Sequence, residues 1–144
     1  MAYSGKYTPV NKRKYKGDWK NIVYRSLWEL RFMKMCDEDR KVIEWGSEEI
    51  IIPYISPVDN RMHRYFPDFY VKTRLPDGKF KKYIIEIKPL KQTAPPKQQK
   101  RHTKKYLAEV KTYAINEAKW TAALHFCKRH DCEFRILTEK ELKI

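Results

Sequence analysis

The sequence predicts a mixed α/β domain built around one central sheet. Two stretches rich in aromatic and β-branched residues, Tyr65 to Lys72 and Phe80 to Lys88, are typical of strands. A helical stretch precedes this pair, a longer helical stretch follows it, and a further short strand pattern lies near the C-terminus. Strands enclosed by helices in this order favour helices packed against a shared sheet.

The first helix is predicted from Ser26 to about Asp37, where apolar residues supply a broad apolar side. Ser26 followed three residues later by Glu29 fits a capping box, in which the glutamate accepts a hydrogen bond from the serine main-chain N–H. Helix capping is therefore an alternative to any chemical role for Glu29.

Two strands are predicted between this helix and the central pair, at Val42 to Trp45 and at Glu49 to Ile55. Pro53 has no N–H to donate, so the second of these strands is expected at a sheet edge or to end early. Residues 56–60 contain serine, proline, aspartate and asparagine and are predicted to form a turn.

The turn between the two central strands predicts their register. Its proline and glycine suit a turn with a glycine bulge, which pairs Leu75 with Lys79. Counting back from that pair places Asp68 opposite Glu86, and directly opposed residues have Cβ atoms roughly 4.5–5.5 Å apart. Two carboxylates at that distance repel each other unless a proton or a cation lies between them, and Mg²⁺ prefers oxygen ligands. A solvent-facing strand surface is the alternative.

The stretch after the central strands is predicted as a basic loop and a helix. The loop covers about residues 89–103, and the helix runs from Lys104 to His130, with Asn116 as a candidate cap that would divide it in two. Lys119 is expected on the exposed side of this helix, with a position facing the carboxylate pair as the alternative. A short strand from Glu133 to Leu137 follows, and residues 138–141 carry the capping-box signature of a last helix.

The charge balance predicts a polyanionic partner. The chain of 144 residues contains 32 Lys and Arg against 18 Asp and Glu, a net charge of +14, and such a surface attracts nucleic acid. No apolar run is long enough for a membrane helix and no signal peptide is visible, so no membrane association is expected. No small-molecule cofactor is indicated.

Basic residues concentrate in an N-terminal arm, residues 1–20, and in the loop at 89–103; residues 21–144 are predicted to form a single domain. DNA contact and docking onto the domain suit the arm equally well. The loop is expected to contact a DNA backbone, with a solvated linker as the alternative. The residues predicted to bind DNA, mainly through its phosphates, are Lys12, Arg13, Lys14, Lys91, Lys97, Lys100, Arg101, Lys104 and Lys105.

The three cysteines of the chain suit a reducing compartment. Cys127, His130 and Cys132 lie close together in the sequence, but a structural zinc site needs four ligands and no second pair is visible. No zinc is expected.

Short motifs across the chain resemble known nucleases. Pro67-Asp68, with Glu86-Ile87-Lys88 eighteen positions after the aspartate, resembles the PD-(D/E)xK signature. The order of three further motifs is similar to the N-terminal nuclease domain of the TnsA transposase subunit: Tyr24 to Glu29, Trp45-Gly46 and Ile51 to Tyr54. Nearly the whole chain resembles the head-completion nucleases of T-even-type tailed phages, through segments 1–6, 24–26, 86–89 and 134–139.

This resemblance implies a restriction-endonuclease-like fold with an αβββαβ core. It implies that Asp68, Glu86 and the carbonyl of Ile87 hold Mg²⁺, with Mn²⁺ as a substitute. Lys88 would stabilise the charge that develops on the attacked phosphate or orient the water. Glu29 would hold a second ion or position water.

The implied function is a Mg²⁺-dependent DNA endonuclease that acts in phage head completion at the end of DNA packaging. Its partners would be DNA and proteins of the phage head, portal or neck. It would act in the host cytoplasm during assembly, and it could also be associated with the virion. One alternative is a non-catalytic DNA-binding structural protein of the head or neck, and another is a TnsA-like nuclease that cuts transposon ends. The intact set of Asp68, Glu86 and Lys88 favours an enzyme, because binding alone does not need opposed carboxylates beside a phosphate.

Overall fold

The computed structural model describes residues 3–143, so the ends of the predicted arm and domain, residues 1, 2 and 144, lie outside the described residues. Three helices and eight strands make up the fold within that range, together with three single turns of 3₁₀-helix. In chain order they are β1 (Gly5–Tyr7), β2 (Ile22–Tyr24), α1 (Leu27–Glu38), β3 (Val42–Ser47), β4 (Ile52–Ile55), β5 (Met62–Tyr65), β6 (Phe69–Arg74), β7 (Phe80–Ile87), α2 (Lys104–His130), β8 (Glu133–Leu137) and α3 (Glu139–Leu142).

The central sheet has four strands in the order β3-β6-β7-β8. Strands β3, β6 and β7 are antiparallel neighbours, whereas β8 runs parallel to β7 because α2 carries the chain back across the sheet. The order α1-β3-β6-β7-α2-β8 is the predicted αβββαβ core, so the restriction-endonuclease-like fold class is confirmed. Two-stranded ribbons, β1-β2 and β4-β5, accompany this sheet.

Alternate side chains of the sheet pack in two different cores. Phe69 and Ile85 lie opposite each other and pack with Met33 of α1. Tyr70 and Ile84, the next pair, lie in a cluster with Cys127 of α2. Because side chains alternate along a strand, the sheet is covered by α1 on one face and by α2 on the other.

The start of α1 differs in one detail from the predicted capping box. The Ser26 hydroxyl accepts a hydrogen bond from the Glu29 main-chain N–H at 3.1 Å, as expected for a cap. The Glu29 carboxylate accepts from the main-chain N–H of Arg25 at 3.4 Å, rather than from that of Ser26. The helix therefore begins at Leu27, one residue after the predicted start, with Ser26 as its cap and the Glu29 carboxylate bonded one residue further back than a capping box requires.

The predicted strand from Tyr65 to Lys72 is wrong at its start, because the chain leaves the sheet at Pro67. Met62 to Tyr65 pairs with β4 in a separate ribbon, and β6 begins at Phe69. Proline has no N–H for a sheet ladder, so it separates the two strands. The strand predicted from residue 49 is also shorter than expected, since β4 begins at Ile52.

The predicted register of the central hairpin is confirmed. The Leu75 N–H donates to the Lys79 carbonyl at 2.7 Å, and Gly78 has a φ of 87°, which favours glycine. Pairing continues without a shift to Phe69 opposite Ile85.

The long helix α2 is continuous over 27 residues, so the predicted break at Asn116 is wrong. Asn116 is buried in the middle of the helix and does not cap a second one. The Thr103 hydroxyl caps the start of α2, and Asp131 ends it in the left-handed conformation. The predicted strand at Glu133–Leu137 and the short helix after it are both present.

The N-terminal arm is docked on the domain through Asp37, which is 1% exposed near the end of α1. Its carboxylate accepts hydrogen bonds from the Tyr7 hydroxyl at 2.8 Å, the Val10 N–H at 2.7 Å and the Asn11 N–H at 2.9 Å. Burial acts to raise the pKa of Asp37, but these hydrogen bonds lower it overall. The arm therefore has a structural role, because these bonds dock it on the domain. Contact of the arm with DNA is a separate prediction.

We expect Asp37→Ala to lower the free energy of unfolding by about 3 kcal/mol, because three donors lose their buried acceptor. Urea unfolding followed by circular dichroism measures this loss. Glu38→Ala is the matched control, since Glu38 is exposed on the same turn of α1. Equal, small effects of the two substitutions would contradict a docking role for Asp37.

Among the described helices, none combines the length and the apolar character needed to cross a membrane.

Candidate active site

The two predicted metal-binding carboxylates come together where β6 begins and β7 ends. One residue beyond the pair Phe69–Ile85, the register places Asp68 opposite Glu86, on the face of the sheet that α2 covers. The Asp68 carboxylate accepts a hydrogen bond from the main-chain N–H of Ile87 at 2.8 Å. This bond fixes the carboxylate beside the end of β7.

Glu86 is 7% exposed and has a different partner at each carboxylate oxygen. The hydroxyl of Tyr65 donates to Oε1 at 2.7 Å. The Lys88 ammonium lies 3.8 Å from Oε2, two residues further along the chain and on the same face. Tyr65 therefore holds the carboxylate in position, while Lys88 supplies the nearest positive charge.

The pair of carboxylates is electrostatically strained. Burial, together with the neighbouring Glu86 carboxylate, raises the pKa of Asp68 to about 8. Burial also raises the pKa of Glu86, although the Tyr65 hydroxyl and Lys88 oppose that change. Two neighbouring carboxylates that favour protonation, one half-buried and one buried, are suited to a bound cation, which would replace the shared proton.

Glu29 of α1 lies at the border of this site. Burial raises its pKa, and so do the charges of Glu48 and Glu86. Arg25 forms an ion pair with Glu48 at 2.5 Å, and the Glu48 main-chain N–H donates to the Asp68 carbonyl at 3.1 Å. The first helix is thereby connected to the segment that carries Asp68.

Lys119 points towards the site, contrary to its predicted exposed position. Its ammonium lies 5.6 Å from the centre of the Tyr65 ring and 5.9 Å from that of Tyr54, and its charge opposes the raised pKa of Glu86. The sequence pattern did not distinguish Lys119 from an exposed helix lysine, because the packing of Tyr54 and Tyr65 against α2 is a tertiary feature.

The donor atoms at the site fit a hard divalent cation. Within residues 3–143, no three His, Cys, Asp or Glu side chains are close enough to hold a metal ion by themselves. Mg²⁺ is commonly bound through only one or two carboxylates and keeps several waters. Asp68 and Glu86 meet that need, and the main-chain N–H of Ile87 donates to Asp68, which places Ile87 beside the pair.

The predicted DNA-binding residues fall into separate groups. Lys14 donates to the carbonyls of Asp37 and Asp39 at 2.9 and 2.8 Å, so its ammonium holds the arm and is less available to DNA than predicted. Lys12 lies 4.2 Å from the centre of the Trp19 ring. The exposed remainder comprises Arg13, Lys91, Lys97, Lys100, Arg101, Lys104 and Lys105.

The cysteine and histidine residues near the end of α2 lie apart from this site. Cys127 is buried and belongs to the core on that face of the sheet, with Cys132 packed against it. The ring of His130 stacks on Phe126 at 4.1 Å between centres. These contacts give the three residues a packing role.

Comparison with known proteins relates the chain to nucleases. Residues 39–139 match the family described as TnsA-like endonuclease N terminal, a range that contains Asp68, Glu86 and Lys88 but not Glu29. The chain is 41% identical to a protein named head completion nuclease from Enterobacteria phage T4, over 99% of this chain and 95% of that protein. No solved structure matches the chain significantly.

Proposed function

The chain belongs to the family of TnsA-like endonuclease N-terminal domains, and we propose that it is a Mg²⁺-dependent endonuclease that hydrolyses phosphodiester bonds in DNA. The observation that carries this proposal is the pair of half-buried Asp68 and buried Glu86, with Lys88 beside it. A protein that only bound DNA would gain nothing from two mutually repelling carboxylates close to a phosphate. The same set is well suited to binding a cation where phosphate chemistry takes place.

The ligands of the ion in this proposal are Asp68, Glu86 and the carbonyl of Ile87. A divalent ion held there would supply Lewis acidity at the scissile phosphate. Tyr65 keeps Glu86 in one orientation through its 2.7 Å hydrogen bond, so the ligand is ordered before DNA arrives. Mn²⁺ takes similar oxygen ligands and is expected to substitute.

Lys88 and Glu29 have distinct proposed roles. The Lys88 ammonium stabilises the negative charge that grows on the attacked phosphate, or it orients the water. Glu29 is half-buried and has a raised pKa, which suits a group that positions water or contributes to a second ion. Because the Glu29 carboxylate also accepts from the Arg25 N–H, it serves the helix cap as well.

Lys119 adds a proposed role that the motifs did not suggest. Its ammonium lies beside the aromatic rings of β4 and β5 and close to Glu86. From there it is placed to attract a DNA phosphate towards the carboxylates, as the exposed basic residues of the loop do at longer range. Binding through phosphates is expected to be insensitive to sequence.

The biological setting is proposed from the phage T4 relative, whose name is head completion nuclease. Identity of 41% over almost the full length of both proteins supports a shared role. We therefore propose that this chain acts on DNA at the end of packaging, in the host cytoplasm during assembly, with head, portal or neck proteins as partners.

We expect the protein to cut linear or branched duplex DNA with Mg²⁺ or Mn²⁺ and to leave it intact in EDTA. Gel electrophoresis of the products measures this directly. Cleavage that persists in excess EDTA would contradict the metal site. If no DNA form is cut with either ion, the nuclease function is wrong and a DNA-binding role in the phage head takes its place.

A further inference from the structure

A second candidate binding site lies between the basic loop and the first half of α2. It is a cavity of about 580 Å³, within the range of roughly 300–1,000 Å³ that is usual for ligand sites. Lys91 and Lys97 line it from the loop, and Lys105, Tyr113 and Asn116 line it from the helix. The loop begins directly after Lys88 in the sequence.

The charge of the cavity favours a phosphate group. Three lysines, Lys91, Lys97 and Lys105, line the cavity together with a single acidic residue, Glu109. Lysine is a common phosphate binder and acts there as a point charge. The ligand is therefore expected to be anionic.

Asn116 indicates that the ligand has more than a phosphate. Asn116 is 8% exposed and is one of the residues that line the cavity. An amide side chain offers both hydrogen-bond donors and an acceptor. The edge of a nucleobase offers both kinds of partner.

Tyr113 supplies an aromatic surface in the same cavity. Its ring packs edge-to-face against Trp120, with 6.2 Å between ring centres, and this contact holds it in place. Bases stack on such rings with little regard to sequence. The cavity thus combines lysines that attract a phosphate, an amide that forms hydrogen bonds, and an aromatic ring on which a base can stack.

We propose that this cavity binds an unpaired nucleotide of the DNA substrate, with its phosphate at the lysines and its base between Tyr113 and Asn116. This inference rests on the proposed function and narrows the substrate to DNA with an unpaired end or branch. A base within an intact duplex cannot enter the cavity unless it leaves the stack.

Binding in EDTA tests the inference without cleavage. Fluorescence anisotropy compares a labelled blunt duplex with the same duplex carrying a short unpaired tail. The wild-type protein should bind the tailed duplex at least about fivefold more tightly, the lower end of what one stacked base contributes. Equal affinities for the two duplexes would overturn the proposal.

Two variants locate the effect in the cavity. Asn116→Leu keeps the size of the side chain and should remove the preference for the tail without changing blunt-duplex affinity. Lys105→Ala should weaken binding of the tailed duplex more than that of the blunt one, and it stays informative if the first variant does not fold. Lys111→Ala is the matched control, because Lys111 is exposed on α2 outside the cavity, and it should affect both duplexes equally. If Lys105→Ala behaves like Lys111→Ala, the cavity does not hold the nucleotide.

The outcomes separate this inference from the nuclease function. A preference for tails that depends on Lys105, without cleavage in Mg²⁺, would support the cavity and overturn the nuclease. Cleavage in Mg²⁺ with no preference for tails in EDTA would support the nuclease and overturn the cavity.

Discussion

Asp68→Ala should abolish Mg²⁺-dependent DNA cleavage while DNA binding persists or becomes tighter. The substitution removes one of two proposed carboxylate ligands, so the ion is no longer held beside the phosphate. It also removes a negative charge that faces the DNA backbone, which favours binding. Cleavage rates in Mg²⁺ and anisotropy in EDTA measure the two effects separately.

Glu117→Ala is the control for Asp68→Ala, because it removes an acid from the exposed side of α2, away from the metal ligands. It should leave cleavage near the wild-type rate. Cleavage by Asp68→Ala at the wild-type rate would show that the pair of Asp68 and Glu86 has no part in the reaction.

Lys88→Ala should lower the cleavage rate by roughly 10²–10³, the usual effect of removing one group that stabilises the transition state. Its ammonium lies 3.8 Å from Glu86, at the place where phosphate charge would develop. DNA affinity should fall only slightly, because Lys88 is one of 32 basic residues. Single-turnover kinetics at saturating protein separates the rate from the affinity.

Lys82→Ala is the control for Lys88→Ala, because it also removes one positive charge. Lys82 is exposed on β7. It should reduce affinity about as much as Lys88→Ala and leave the rate nearly unchanged. Equal losses of rate in the two variants would mean that Lys88 acts through general charge only.

The geometry of the carboxylate pair was predictable because it depends on local features. A turn of five residues determined how β6 and β7 align, and alternation then placed Asp68 and Glu86 on one face. The capping serine likewise predicted where α1 begins, since the hydrogen bond spans only three residues. Short-range signals of this kind do not require knowledge of the tertiary fold.

The features that the sequence did not predict depend on contacts between distant segments. Asp37 accepts from residues 26 to 30 positions away, and no local pattern marks it as the residue that docks the arm. Tyr65 reaches Glu86 only because Pro67 diverts the chain out of the sheet. The predicted cap at Asn116 failed because tertiary burial outweighs the modest helix preference of a single residue.

The central claim, that Asp68 and Glu86 form a divalent metal site, is tested most directly by calorimetric titration with Mn²⁺ at pH 7. Because burial and the neighbouring Glu86 carboxylate raise the pKa of Asp68, the coupled pair favours holding a proton, which an incoming ion must displace. The wild-type protein should therefore bind Mn²⁺ and release on the order of one proton, seen as a dependence of the heat on the ionisation enthalpy of the buffer. Asp68→Asn should show neither. Absence of Mn²⁺ binding by the wild-type protein, or unchanged binding and proton release by Asp68→Asn, would contradict the metal site.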